Sequence, residues 1–331
     1  MGIGTALYLG TPVLVNLRER AALENVIGQF EQVRAAANDM YIPDESRYPT
    51  ISIPAGELVL GEGSHVLVTV NHDTTPAYAA CDLRVSDWGD WNDQVTVSAA
   101  TPACRTLTAC PAAGANACLE VDRVDGATET AVTTSGLGTV TLGEALREDA
   151  DYVFRLVDGT SAVQAQAWLF HMDRLSWRTG NVAASYEGGG ILAQEGEGYF
   201  LASSPLVSED PAGGPYFLRL PTMQDSDHSA FSGSGSHSVG LIMTSGHLRV
   251  DWVAATLLRL DFHGDLGEPW CNAFLLRDVL ASLDGDYYSE DPTHPCSGTP
   301  AADGIRSVKY DEPAAFRFTL TQTVIHGSLL L

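Results

Sequence analysis

The stretch QDSDHSAFSGSGSH gathers Asp225, Asp227, His228 and His237 around Ser234. Carboxylates and imidazoles in one loop can hold a divalent ion, or serve as base and orienter for a serine hydroxyl. Acidic loops are general in this chain, so the same residues read better as a solvated loop. DGDYYSED brings Asp284, Asp286, Glu290 and Asp291 close enough to share calcium, but the twelve-position spacing of an EF-hand is absent. SDWGDWND sets Trp88 and Trp91 among Asp87, Asp90 and Asp93. Such indoles either stack on sugar rings or anchor an irregular loop into the body, and anchoring is the better reading. His171 in WLFHMD and His263 in LDFHG stand in apolar runs and read as ordinary strand histidines. HExxH, GxSxG and GxxxxGK[ST] do not occur, and FSGSGSHSVG lacks the phase of GxGxxG. With Lys309 as the only lysine, P-loop and Schiff-base chemistry are disfavoured. The chain is expected to be no enzyme and to use no cofactor.

Charge narrows the classes further. Of 331 residues, 42 are acidic and 18 basic, for a formal net charge of −24. A polyanionic surface repels phosphate, which argues against nucleic acid as a partner and against docking on anionic head groups. At low salt this much like charge works against the compact state, whereas in 1 M salt the Debye length falls to about 3 Å. An acid-rich chain with one lysine fits an extreme halophile. Residues 1–40 carry a net of −1, so nearly all the negative charge belongs to the rest.

The six cysteines form no CxxC, and no paired His spacing completes a zinc site. Their even number suggests disulfides and an oxidising, extracellular location. Cys271 is expected to pair with Cys296; among Cys81, Cys104, Cys110 and Cys118 three connectivities stay open.

Two textures organise the chain. From Pro12 to about Asp39, apolar residues recur at spacings of three and four, predicting a helix of roughly 40 Å. After Tyr41-Ile42-Pro43 come short runs rich in Val, Leu, Ile, Thr and aromatics, such as ELVLGEGSHVLVTVNH, DYVFRLVDG and FRFTLTQTVIHGSLLL, divided by Gly, Pro, Asp and Ser. One further short helix is predicted over residues 271–283. The expected architecture is α+β: a long N-terminal helix (1–40), then an acidic β-rich head (41–331), sandwich-like and mainly antiparallel. A Cys-rich insertion is expected at about 82–130.

The opening segment poses a separate problem. Residues 1–17 carry no charge, yet as a helix they reach only about 25 Å, short of the roughly 30 Å hydrocarbon core. They also lack the basic region and cleavage site of a signal peptide. Their apolar side chains need burial in lipid or among copies of themselves.

ALYLGTPVLVNLRERAALENVIGQFEQVRAAAND resembles the second half of the N-terminal helix of haloarchaeal type IV pilin-like proteins. The order GGGIL, YFLASSPLV, YFLRLP, then PWCNAFLLRDVL, IRSVKYDE and FRFTLTQT, is similar to a pilin-like family of unknown function. The resemblance implies a processing motif and a longer apolar run ahead of Met1, so this chain is expected to be an N-terminally truncated form. It further implies a non-enzymatic, extracellular or membrane-anchored surface protein, whose partners through the helix are membrane or other pilin-like subunits. Leu7, Leu9, Val13, Leu14 and Leu17 would be the anchor or assembly residues; Leu23, Ile27 and Phe30 would pack the helix on the head. Alternatives are an adhesin head that binds a surface glycan or protein, a secreted hydrolase using the Asp225/His228 region, and a structural protein of a halophilic virus.

Overall fold

The computed structural model describes residues 2–72, 83–99, 119–124, 129–132, 138–157, 163–196, 198–204, 207–209, 216–224, 228–244, 248–264, 287–288 and 306–330. One long helix, α1 (Gly2–Asn38), precedes β1 (Ser46–Arg47), β2 (Thr50–Ile53) and the long β3 (Glu57–His72). Next come β4 (Leu83–Ser86), a 3-10 turn at Trp88–Asp90, β5 (Gln94–Ala99), β6 (Leu119–Arg123), β7 (Glu129–Val132), β8 (Gly138–Thr141) and β9 (Tyr152–Val157). A second long strand, β10 (Val163–Thr179), leads into β11 (Val182–Glu187), β12 (Gly190–Glu195) and β13 (Gly198–Leu201). The chain continues through β14 (Val207–Glu209), β15 (Tyr216–Gln224), β16 (Ser229–Ser232), β17 (Gly235–Met243), β18 (Leu248–His263), β19 (Tyr287–Tyr288) and β20 (Arg306–Leu330).

The protein is mostly β. Strands β4, β5 and β8 form a small sheet, and the other strands belong to one large sheet. That sheet is mixed, because β15 runs parallel to β20 from Tyr216↔Phe318 to Gln224↔His326. The helix predicted over 271–283 lies outside the described residues, as do all six cysteines.

The helix begins at Gly2 and runs through Gly10 and Pro12, earlier than the apolar period predicts. Its 37 residues correspond to about 55 Å. Leu23, Val26, Phe30, Val33 and Ala37 follow one another at alternating steps of three and four and are all buried. They join Ile51, Ile53, Trp177, Tyr186, Ile191, Val239 and Leu241 in one cluster beneath the helix. Each fully buried Leu, Val, Ile or Phe among them contributes about 1.5–3 kcal/mol. Ile27 is half-buried against the same cluster. A polar clasp sets the axial position: the Gln29 amide donates to the Ser52 carbonyl at 3.0 Å, and the Ser52 N–H donates back to Gln29 Oε1. Arg34 Nε donates to the Gly189 carbonyl at 2.8 Å. Gly28 faces open space on the exposed side, so Gly28→Ala should raise stability by about 1 kcal/mol in a denaturant titration.

Strands β3 and β10 form the spine, paired antiparallel from Ala165↔Asn71 to Arg178↔Glu57. Alternation along them buries both faces. Val66, Val68 and Val70 meet Trp168, Phe170 and Met172 on one side. Leu67 meets Ala165, Ala167 and Leu169 on the other. The ladder is interrupted once, where the register steps from Met172↔Ser64 to Arg174↔Gly61.

The segment predicted as a surface insertion at 82–130 contributes to the core within its described residues. Val85, Trp88, Val95, Val97, Leu119 and Val121 are buried in the cluster that covers Leu67 and Leu169. Strand β6 pairs with β9 and so extends the large sheet. Alternating apolar residues in β5 and β6 account for this, a period-two pattern that needs a buried face.

Candidate functional site

At the centre of the spine three strands each place a histidine at the same level. His171 on β10 is the register partner of His65 on β3, and His65 is the partner of His263 on β18. The ring centroids of His65 and His171 lie 4.9 Å apart, and those of His65 and His263 6.3 Å. The two tryptophans of SDWGDWND cover this row. Trp91 packs on His65 at 4.4 Å, and both Trp88 and Trp91 meet His263 edge-on at 5.9 Å. Asp87 and Trp91, which flank the 3-10 turn, adopt left-handed backbone conformations that turn both indoles inward. Trp88 is fully buried, as an anchor must be, and has no free face for a sugar.

Buried carboxylates surround His171. Its Nε2 is 3.2 Å from Asp173 Oδ1, and its backbone N–H donates to Asp151 Oδ1 at 2.8 Å. Asp151 also accepts from the Gln224 amide at 2.9 Å and from the Gln322 amide at 2.6 Å. Glu187, wholly buried, accepts the Ser64 N–H. Asp151, the residue before β9, thus joins β10, β15 and β20 in one polar network, while among the described residues His65 Nδ1 and Gln322 Oε1 are buried without a hydrogen-bond partner.

Protonation follows from these contacts. His65 Nε2 faces the Glu148 carbonyl oxygen at 2.7 Å, so that nitrogen carries the hydrogen. His171 Nδ1, 3.1 Å from the same atom, is then an acceptor. Burial pushes His65 down to about 3, and the neighbouring His171 and His263 add to the effect. For His171 burial opposes the imidazolium, but the hydrogen bond to Asp173 and the charges of Asp173, Asp151 and Glu187 outweigh it, and its proton affinity is raised. Burial raises Asp151 despite the His171 N–H and the two glutamine amides. A proton arriving on His171 must displace the His65 hydrogen from the shared position, so the two rings titrate as a coupled pair.

The cluster brings two imidazoles and a carboxylate within hydrogen-bond reach of one another. Its rings tilt past one another instead of converging, and among the described residues no group of three His, Cys, Asp or Glu side chains is arranged to hold a metal. His171 and His263, read from sequence as unremarkable strand histidines, belong to this row; His65, in GSHVLVTV, carried no local signal at all.

The other sequence candidates sit elsewhere. Asp225, Asp227, Asp284, Asp286, Glu290 and Asp291 lie outside the described residues. His228 packs on Gly61, and His237 stacks on Phe231 at 4.2 Å, so the two rings have different neighbours. Ser234 is exposed in the turn between them. Leu7, Leu9, Val13 and Leu14 lie in the backbone of α1, and their side chains are outside the described residues. Leu17 is 60% exposed, whereas Leu23 and Phe30 are buried. No protein-family model, curated protein or solved structure matches the chain.

Proposed function

We propose that this is a non-enzymatic, extracellular pilin-like surface protein of an extreme halophile, anchored or assembled through α1. The observation that carries the reading is the point at which the helix leaves the body. Val15, Asn16, Leu17 and Arg18 are all exposed. Four successive residues sample every direction around a helix of 3.6 residues per turn, so no face of that turn rests on the head. Glu19 is the next residue, and its carboxylate lies against Gly180 in the turn that closes β10 and β11. Beyond it the helical backbone continues to Gly2 through a segment without charge. Val15 and Leu17, 46% and 60% exposed, are apolar side chains awaiting a partner.

Among the described residues no helix is long and apolar enough to cross a membrane. The exposed Val15 and Leu17 suit burial among sister helices or against a bilayer surface. A layered, sandwich-like head is supported by the two apolar clusters on opposite faces of β3 and β10. Its net charge suits an outer surface in brine, where salt screens repulsion between neighbouring heads.

The test is a double substitution, Val15→Glu with Leu17→Glu. In molar salt the unaltered chain should self-associate or float with lipid vesicles. The double variant should do neither, while keeping its near-ultraviolet circular dichroism. An unaltered chain that is monomeric and lipid-free in molar salt removes the proposal, as does a variant that associates equally well.

A further inference from the structure

The histidine row contains one nitrogen on which two neighbours make claims. His65 Nε2 lies 2.7 Å from the Glu148 carbonyl oxygen and 3.1 Å from His171 Nδ1. While His171 is neutral both neighbours are acceptors, because His171 keeps its hydrogen on Nε2, 3.2 Å from Asp173 Oδ1. One hydrogen on His65 Nε2 then serves the two. A proton added at His171 Nδ1 ends that arrangement. Two hydrogens cannot occupy the 3.1 Å gap, so His65 must present a lone pair there. The same lone pair then faces the Glu148 oxygen, acceptor against acceptor. The far side of the ring does not obstruct the exchange. His65 Nδ1 has no hydrogen-bond partner among the described residues, so an unpaired acceptor becomes an unpaired donor.

One of the two contacts must yield, and the fold decides which. His65 and His171 are register partners on β3 and β10, with ladder pairs on either side of them. The His171 side chain is 13% exposed, and a charged donor shut away from water without an acceptor is the costlier loss. Glu148 lies in the connection between β8 and β9, where Arg147, Glu148 and Asp149 are all exposed. Its carbonyl can turn to water. Buried Leu146 and Ala150 anchor this turn at its two ends, which confines the movement to the three residues between them.

The groups that face His171 come from several elements. Asp173 is on β10, Asp151 precedes β9, Glu187 ends β11, and Asp149, paired with Arg147, lies in the turn itself. His65 on β3 and His263 on β18 are the facing imidazoles, and the indoles of Trp88 and Trp91 cover the row without charge. Burial works against a charged His171, but Asp173, Asp151 and Glu187 outweigh it and raise its proton affinity.

We propose that His65, His171 and Glu148 form a proton-operated latch, in which a proton on His171 detaches the Glu148 carbonyl and frees the Arg147–Asp149 turn from the spine. The latch does not involve α1, so it stands or falls apart from the assembly reading.

Histidine-selective nitrogen-15 NMR of the full chain, taken from alkaline to mildly acid pH in molar salt, tests it together with hydrogen exchange. As His171 gains its proton, the His65 hydrogen should pass from Nε2 to Nδ1 with the ring still neutral. Exchange of the Arg147 and Ala150 amides, which donate to Tyr152 Oη and the Arg147 carbonyl, should accelerate roughly tenfold at the same midpoint once intrinsic pH dependence is removed. Protection in β3 and β10 should not change. Asp173→Asn should move the midpoint down by about one unit or more, and His171→Gln should remove the transition. A His65 that keeps its Nε2 hydrogen beside a charged His171 overturns the latch, as does a His171 that stays neutral throughout. Turn exchange that ignores the midpoint, or that rises only together with β3 and β10, also overturns it. If either variant fails to fold, the His65 tautomer in the unaltered chain decides.

Discussion

Gly63→Ala is expected to cost more than about 4 kcal/mol and to leave little folded protein. A Cβ on Gly63 would run into the Met172 carbonyl oxygen and lie 2.7 Å from the carbonyl carbon. These are backbone atoms, so no side-chain rotation relieves the clash. The residue sits in the bulge where Glu62 and Gly63 oppose Asp173 between the Met172↔Ser64 and Arg174↔Gly61 pairs. Strands β3 and β10 can admit the methyl group only by moving apart. Doing so would disrupt the apolar clusters on both faces and pull Asp173 from His171. Urea denaturation of Gly63→Ala beside Gly28→Ala is the measurement, with opposite signs expected for the two alanines. A Gly63→Ala protein within about 1 kcal/mol of the parent would show that the bulge is not a close backbone approach.

His65 should dominate the acid limb of the stability curve. Its folded-state value of about 3 lies below its ordinary 6.5, so the unfolded chain takes up the proton first. The stability this group contributes is complete above pH 6.5 and is lost as the pH falls toward 3. A displacement of this kind is worth on the order of a few kcal/mol, shared with His171 because the two rings titrate together. Two neighbours act in the opposite direction. His171, raised, contributes stability that is present below 6.5 and lost as the pH rises through its folded value. Asp151, raised by burial, also favours the protonated, low-pH side. The informative quantity is therefore the difference between the parent and His65→Gln, in which the glutamine amide can still donate to the Glu148 carbonyl. Unfolding free energies measured across the acid range should diverge by about that amount, the variant having the flatter limb. Parallel curves would mean that the His65 ring is hydrated and not held neutral by burial.

Much of the layout was legible because it rests on local period. The apolar spacing from Leu23 to Ala37 fits only a helix, and those residues are the ones that dock. Alternation in ELVLGEGSHVLVTVNH and AVQAQAWLFH fits only strands, and these became the spine. The helix runs from Gly2 through Gly10 and Pro12, which lower local propensity without preventing the helical path. In the 82–130 segment turns and small residues obscure a period of two, whose valines in β5 and β6 enter the core.

Composition and short-range pattern by themselves determined the long leading helix, the β-rich body, the net negative charge and the lack of familiar catalytic motifs. They could do so because propensity, periodicity and charge act over a few residues. Only the tertiary structure decided the histidine row and the alignment of side chains across the strands. Residues 65, 171 and 263 meet because β3, β10 and β18 pair in one register, and shifting any strand by a single residue would send its histidine to the opposite face. Glu57, Arg178, Gln194 and Tyr199 share a row for the same reason. Register is set by the whole set of buried apolar pairs and by one bulge at Gly63, an energy summed over distant strands that no window of sequence contains.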